Sequence, residues 1–287
     1  MTLGLVLSGG GVRGAAHIGV LKALHEAKIK PAMVSGTSAG SIVAGLYAYG
    51  YSPEEIKICA KEISSRYFDI DYSGILASLV NLFFHGTPTI SGLIKGDHLE
   101  YLFNKFTKGA YLKDAKIPLA ITAVDINNAH IVTFCSHPLR TLLTNDYVYL
   151  YNYRFSEAIR ASIAIPGIFK PKIINNMRLV DGGIRDNLPV DIIRLMGAKK
   201  VIAVNLGYSG TPVPGVDNII EIALQSIDLM IYQITRPSLA TADIIISPEI
   251  ENVKHKDLSK IDYIVDCGYK ATQEAMPRIK QMLLNYY

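Results

Sequence analysis

The chain opens on a short apolar run, Leu3–Leu7, which stops at Ser8 and a string of glycines. A short continuous apolar run bounded by turn residues predicts a strand buried on both faces, as in a parallel sheet. Over 14–27 the apolar positions Ile18, Leu21 and Leu24 recur at helical spacing. The pattern then predicts a strand at 31–35 and a helix over Ala39–Tyr49. Another helix starts at the capping box Ser52-Pro53-Glu54-Glu55, with proline in its first turn. A helix is expected over 97–107. Strands are expected over 117–125 and His130–Cys135, able to pair across an Asn127-Asn128 turn. Ser156 is placed as the cap of a short helix reaching Ser162. Further on, strands are predicted at 173–180, 201–206 and 243–247, and helices at 190–196, 218–234 and 260–284. Strands alternating with helices, joined by right-handed crossovers, define an α/β protein with a mostly parallel sheet.

Two stretches, 31–53 and 72–94, contain no Asp, Glu, Lys or Arg. Gly36, Gly40, Gly45 and Gly50 break the first. It reads as a buried strand, a sharp turn and a centrally packed helix that is apolar all round. In the second, only 75–84 is densely apolar before Gly86 and Pro88, too short for a membrane span of about 20 residues. Two roles fit it: a core helix, or a lid that faces lipid through Leu79, Leu82, Phe83 and Phe84. The 287 residues suffice for one large core, and a single domain over 1–287 is expected. With 49% hydrophobic and 19% charged residues, disorder and a coiled coil are excluded. A net charge of +4 is too slight and scattered to argue for nucleic acid, but it is compatible with an anionic lipid surface. Cys59, Cys135 and Cys267 lie far apart without ligand spacing, so buried free thiols in a reducing compartment are expected. The first basic residue is Arg13, which does not suit a secretory leader. A cytoplasmic location follows as an expectation, with at most peripheral contact at the inner face of the membrane.

Three glycine-rich signals carry the candidate chemistry. Ser8-Gly9-Gly10-Gly11-Val12-Arg13-Gly14 sits between the first strand and helix. It satisfies the dinucleotide fingerprint, but no acidic residue stands between Ala27 and Pro53 to hold a ribose. Such a loop can instead offer backbone N–H groups to a developing oxyanion, or be a tight turn only. Gly36-Thr37-Ser38-Ala39-Gly40 places GxSxG between strand and helix, the context of a nucleophile elbow. Its plainer reading is a serine that caps the helix. Asp181-Gly182-Gly183 follows a predicted strand and puts a carboxylate where α/β sites are built, although Asp-Gly alone is usually a turn.

Together with Ala161-Ser162-Ile163-Ala164-Ile165-Pro166, these three signals resemble the patatin-like phospholipases, with the order and spacing of the bacterial members. The resemblance covers residues 1 to about 206, and 207–287 is expected to complete the sheet and a helical layer. It implies a three-layer sandwich around a mostly parallel central sheet, and a lipid acyl hydrolase of phospholipase A or lysophospholipase type. It further implies Ser38 as nucleophile, Asp181 as base, Gly10 and Gly11 as oxyanion-hole donors, and Arg13 shaping that hole or meeting a lipid phosphate. The substrate would be a phospholipid or other lipid ester, with no cofactor and no metal. Asp186 is the reserve candidate for the acid. Two alternatives stand beside this reading. One is an α/β-hydrolase esterase with a Ser38–Asp181–His255 triad. The other is a non-catalytic lipid- or nucleotide-binding protein.

Overall fold

The computed structural model describes residues 2–65, 81, 90–139, 144–207, 217, 219–251, 253 and 258–284. Most of the stretch 72–94, including Leu79, Leu82, Phe83 and Phe84, lies outside the described residues, as does His255.

Strand β1 (Leu3–Leu7) is buried along its whole length, as its unbroken apolar run requires. It sits in the middle of the sheet, parallel to β2 (Met33–Thr37) on one side and to β10 (Lys200–Val204) on the other. Strand β11 (Ile244–Ile246) extends the sheet parallel to β10. Beyond β2 comes β4 (Leu119–Asp125), also parallel. It forms the expected antiparallel pair with β5 (His130–Cys135), and β5 pairs in parallel with β6 (Tyr147–Leu150). A hairpin of β8 (Lys172–Ile174) and β9 (Met177–Asp181) joins through β9, antiparallel to β4. Strands β3 (Gly92–Ile94) and β7 (Gly167–Phe169) form a separate two-stranded sheet.

Alternate side chains of the central strands enter two different cores. Leu5, Leu7, Ile202 and Val204 pack with helices α1 (Ala16–Glu26) and α2 (Ala39–Tyr49). Val6, Val201 and Ala203 face the other way, onto Val190 and Ile193 of α6 (Val190–Leu195) and Leu239 of α7 (Ile219–Thr241). The sheet is therefore covered on both faces, giving the expected three layers. Helix α8 (Ile261–Leu284) completes the first face against α1. The box that opens α3 (Pro53–Ser65) is formed as predicted: Ser52 N donates to Glu55 Oε2 at 2.7 Å and Glu55 N donates to Ser52 Oγ at 3.3 Å. Helices α4 (Asp97–Phe106) and α5 (Phe155–Ser162) also appear where expected.

The structure corrects four local expectations. The predicted strand 173–180 is a hairpin, because Asn175 and Asn176 take φ of 49° and 65° and turn the chain. Ser156 is not a cap: α5 begins at Phe155 with Arg154 as its cap, two residues before Ser156, and Glu157 Oε2 accepts from Arg154 N at 2.9 Å. Helix α7 does not stop at 234 but runs through Pro237. Strands β3, β6 and β7 were not predicted. Among the described residues no helix is long and apolar enough to cross a membrane.

Candidate active site

Sheet register brings the three glycine-rich segments together. Leu7 pairs with Gly36, so Ser8 and Gly9 leave the sheet beside Thr37 and Ser38. Thr37 pairs with Thr122 of β4, and Asp181 pairs with the next residue of β4, Ala123. Strands β2 and β9 run in opposite directions and meet end to end along one edge of β4. The last residue of each stands on consecutive rungs.

Ser38 follows immediately, at the junction of β2 and α2. Its φ of 52° and ψ of −126° are sparsely populated for a residue with a side chain, a strain of about 1–3 kcal/mol. The turn closes because glycine flanks it. A Cβ on Gly36 would meet the carbonyl of Gly40, and one on Gly40 the carbonyl of Leu7. Hydrogen bonds hold the strained residue at both ends. Its N–H donates to Ser162 Oγ at 2.8 Å, and its carbonyl accepts from Ser41 N at 2.8 Å and Ser41 Oγ at 2.6 Å. The start of α2 behind it favours negative charge. These bonds leave the hydroxyl free to turn outward, near enough to the Asp181 carboxyl to hold its pKa down.

Asp181 is buried, and its Oδ1 accepts from Gly183 N at 2.8 Å. Its own N–H donates to the carbonyl of Ala164 at 2.9 Å. The segment Ala161–Pro166 thus holds both partners, Ser38 through Ser162 and Asp181 through Ala164. Burial pushes the Asp181 pKa up to about 6, the neighbouring Ser38 hydroxyl and the Gly183 N–H restrain the rise, and Asp228 adds to it. A buried carboxylate of raised basicity beside a serine hydroxyl can take its proton near neutral pH. Asp186, the reserve acid, is placed differently. Its carboxyl is pushed up to about 7 by burial and then by Asp191, while its backbone carbonyl accepts from the hydroxyls of Thr37 at 2.9 Å and Thr122 at 3.3 Å. Of the two carboxyls, it is Asp181 whose pKa Ser38 lowers.

The glycine loop is anchored at its start. Ser8 N donates to the carbonyl of Val204 at 3.1 Å, and Leu206 N donates to Ser8 Oγ at 2.9 Å. The buried His17 ring donates from Nε2 to the carbonyl of Ser8 at 2.8 Å, and burial lowers its pKa to about 4, so it is neutral. Gly10 and Gly11 come next, at the start of a 3-10 turn, Gly11–Ala15, where the first N–H groups have no helical partner. Arg13 is half-buried on that turn.

Ser38, Asp181 and the glycine loop therefore converge. Sequence reasoning missed Thr37, Thr122 and the hydrogen bond made by Ser162. The last had a signal in the Ala161–Pro166 segment, while the others had none of their own.

Fold and site together define an α/β protein with a strained serine beside a buried aspartate at a strand–helix junction. The chain belongs to the patatin-like phospholipase family, whose profile matches residues 5–194. It is 31% identical over 301 residues to lysophospholipase NTE1 of Meyerozyma guilliermondii, covering 95% of this chain and 19% of that protein. It is 31% identical over 208 residues to the patatin-like phospholipase domain-containing protein 6 of Mus musculus, covering 72% of this chain and 14% of the other. The chain thus spans a fifth or less of the length of these relatives. Both are eukaryotic and lend no support to the bacterial qualifier read from motif spacing. Among solved structures, VipD from Legionella pneumophila shares the fold, with a TM-score of 0.52 at 15% identity over 96% of this chain and 67% of that one.

Proposed function

We propose that this chain is a lipid acyl hydrolase of phospholipase A or lysophospholipase type, acting through Ser38 and Asp181, with residues 1–287 forming one catalytic domain. The observation that carries the reading is the strained Ser38 beside a buried carboxylate of pKa about 6. Ionised Asp181 takes the proton from Ser38 Oγ as the oxygen attacks the ester carbonyl. The oxyanion is met by the N–H groups of Gly10 and Gly11, a contribution typically worth ~3–4 kcal/mol for a single donor. Collapse expels the alcohol, which takes the proton back from Asp181 and leaves an acyl-Ser38 ester. Asp181 then deprotonates a water that attacks the acyl group, and Ser38 leaves reprotonated with release of the fatty acid. Arg13 is assigned to a lipid phosphate, and no step needs a metal. The names of the relatives support a lysophospholipid or phospholipid as substrate.

The test presents phospholipid, lysophospholipid, triacylglycerol and a short chromogenic ester, and measures fatty acid or alcohol release. A serine-reactive fluorophosphonate should label Ser38, and Ser38→Ala should abolish both labelling and turnover while melting as the parent does. Undiminished hydrolysis by a folded Ser38→Ala protein would refute the assignment.

A further inference from the structure

We propose that Asn187 is a positioning residue that fixes which N–H groups of the glycine loop face the substrate. The inference rests on the acyl-hydrolase reading above. Consecutive glycines impose almost no conformation of their own, so something outside the loop must choose its donors. The N–H of Ser8 is committed to the carbonyl of Val204. The N–H of Gly9 is committed twice to Asn187, at 3.0 Å to Oδ1 and 3.3 Å to the backbone carbonyl. The next donors along the chain are those of Gly10 and Gly11.

Asn187 is itself buried and held from behind. Its Nδ2 donates to Thr235 Oγ1 of α7 at 3.4 Å, and Thr235 Oγ1 donates to the carbonyl of Ile231 at 2.7 Å. The preceding residue, Asp186, takes the hydroxyls of Thr37 and Thr122 on its carbonyl. The dipeptide Asp186-Asn187 therefore ties the glycine loop to Thr37, which precedes Ser38, and to Thr122 of β4, one rung from the partner of Asp181. A neutral amide suits the position. A carboxylate at 187 would still accept the Gly9 N–H, but it would lose the donor to Thr235 and set a negative charge beside a forming oxyanion.

The experiment compares the full chain with Asn187→Ala, Asn187→Asp and Thr235→Val. It uses turnover of a short chromogenic ester, the rate of fluorophosphonate labelling at Ser38, and amide hydrogen exchange over residues 8–14. Asn187→Ala should lower kcat about 10- to 100-fold with KM within about twofold, since misplacing a donor by an ångström costs about that much. The pH limb near 6 should stay where Asp181 puts it. The Gly9 amide should exchange at least about tenfold faster. Asn187→Asp should keep that amide protected yet be slower than the parent. Thr235→Val should fall between the parent and Asn187→Ala, and it stands in if the alanine variant does not fold. Unchanged Gly9 protection in Asn187→Ala, or parental kcat in either Asn187 variant, overturns the proposal. If the parent neither turns over an ester nor takes the label, the acyl-hydrolase reading fails instead, and the hold on Gly9 is judged by exchange alone.

Discussion

On the proposed mechanism, burial sets the working range of Asp181. A base must be ionised to act, so kcat/KM should rise with pH through about 6, the pKa of this carboxyl. Stability should move the other way. An unstructured aspartate titrates at 3.8, so between about 4 and about 6 the folded state holds a proton that the unfolded state has released. Stability from this group is therefore complete below pH 4 and is lost as pH rises through 6. Asp181→Asn should be inactive yet melt higher than the parent at pH 8, by an amount on the order of 1–3 kcal/mol that disappears at pH 4. Thermal scans at the two pH values read this directly. Ser162 offers a second residue-level test, because its hydroxyl is the acceptor for the Ser38 N–H. Ser162→Ala leaves that donor buried and unpaired, at a cost of about 1–3 kcal/mol, in the strained turn. Turnover should drop about tenfold or more, and Ser162→Thr, which keeps the oxygen, should recover most of it.

Helices α1 and α8 touch backbone to backbone. A Cβ on Gly268 would strike the carbonyl of Ala16, and one on Gly19 the carbonyl of Val265. Gly268→Ala should therefore lower stability by about 1–3 kcal/mol, seen as a lower melting temperature and denaturant midpoint. Elements whose cause is local were legible in the sequence: the apolar run of β1, the box at Ser52 and Glu55, and the strand–turn–helix around Ser38. Strands β3 and β7 are three residues each, too short to display a period. Tyr147–Leu150 is half-buried at every position, so no alternation marks β6. The hairpin at Asn175-Asn176 did carry a turn signal, masked by apolar residues on both sides. The site divides the same way. Ser38 and Asp181 announce themselves through their neighbours. Ser162 and Asn187 act on residues 124 and 178 positions away, a relation that no local pattern contains.

At the scale of the whole molecule, the order of strands matters more than their number. Strand β1 stands between β2 and β10, yet the family match ends at residue 194, before β10 begins at Lys200. A chain trimmed to 5–194 would keep Ser38, Asp181 and the glycine loop but strip one side of β1. It would also lose the Val204 carbonyl and the Leu206 N–H that anchor Ser8. A bare apolar strand edge recruits other chains, so the trimmed protein should sediment as aggregate and hydrolyse nothing. Centrifugation and the chromogenic ester would check both outcomes. The same arrangement imposes a schedule on synthesis. Strand β1 is made long before it is closed in, because its neighbour β10 follows some two hundred residues later. Until then the nascent chain carries Ser38 and Asp181 without the finished glycine loop beside them, a slow long-range closure that exposes it to chaperones and to its own kind.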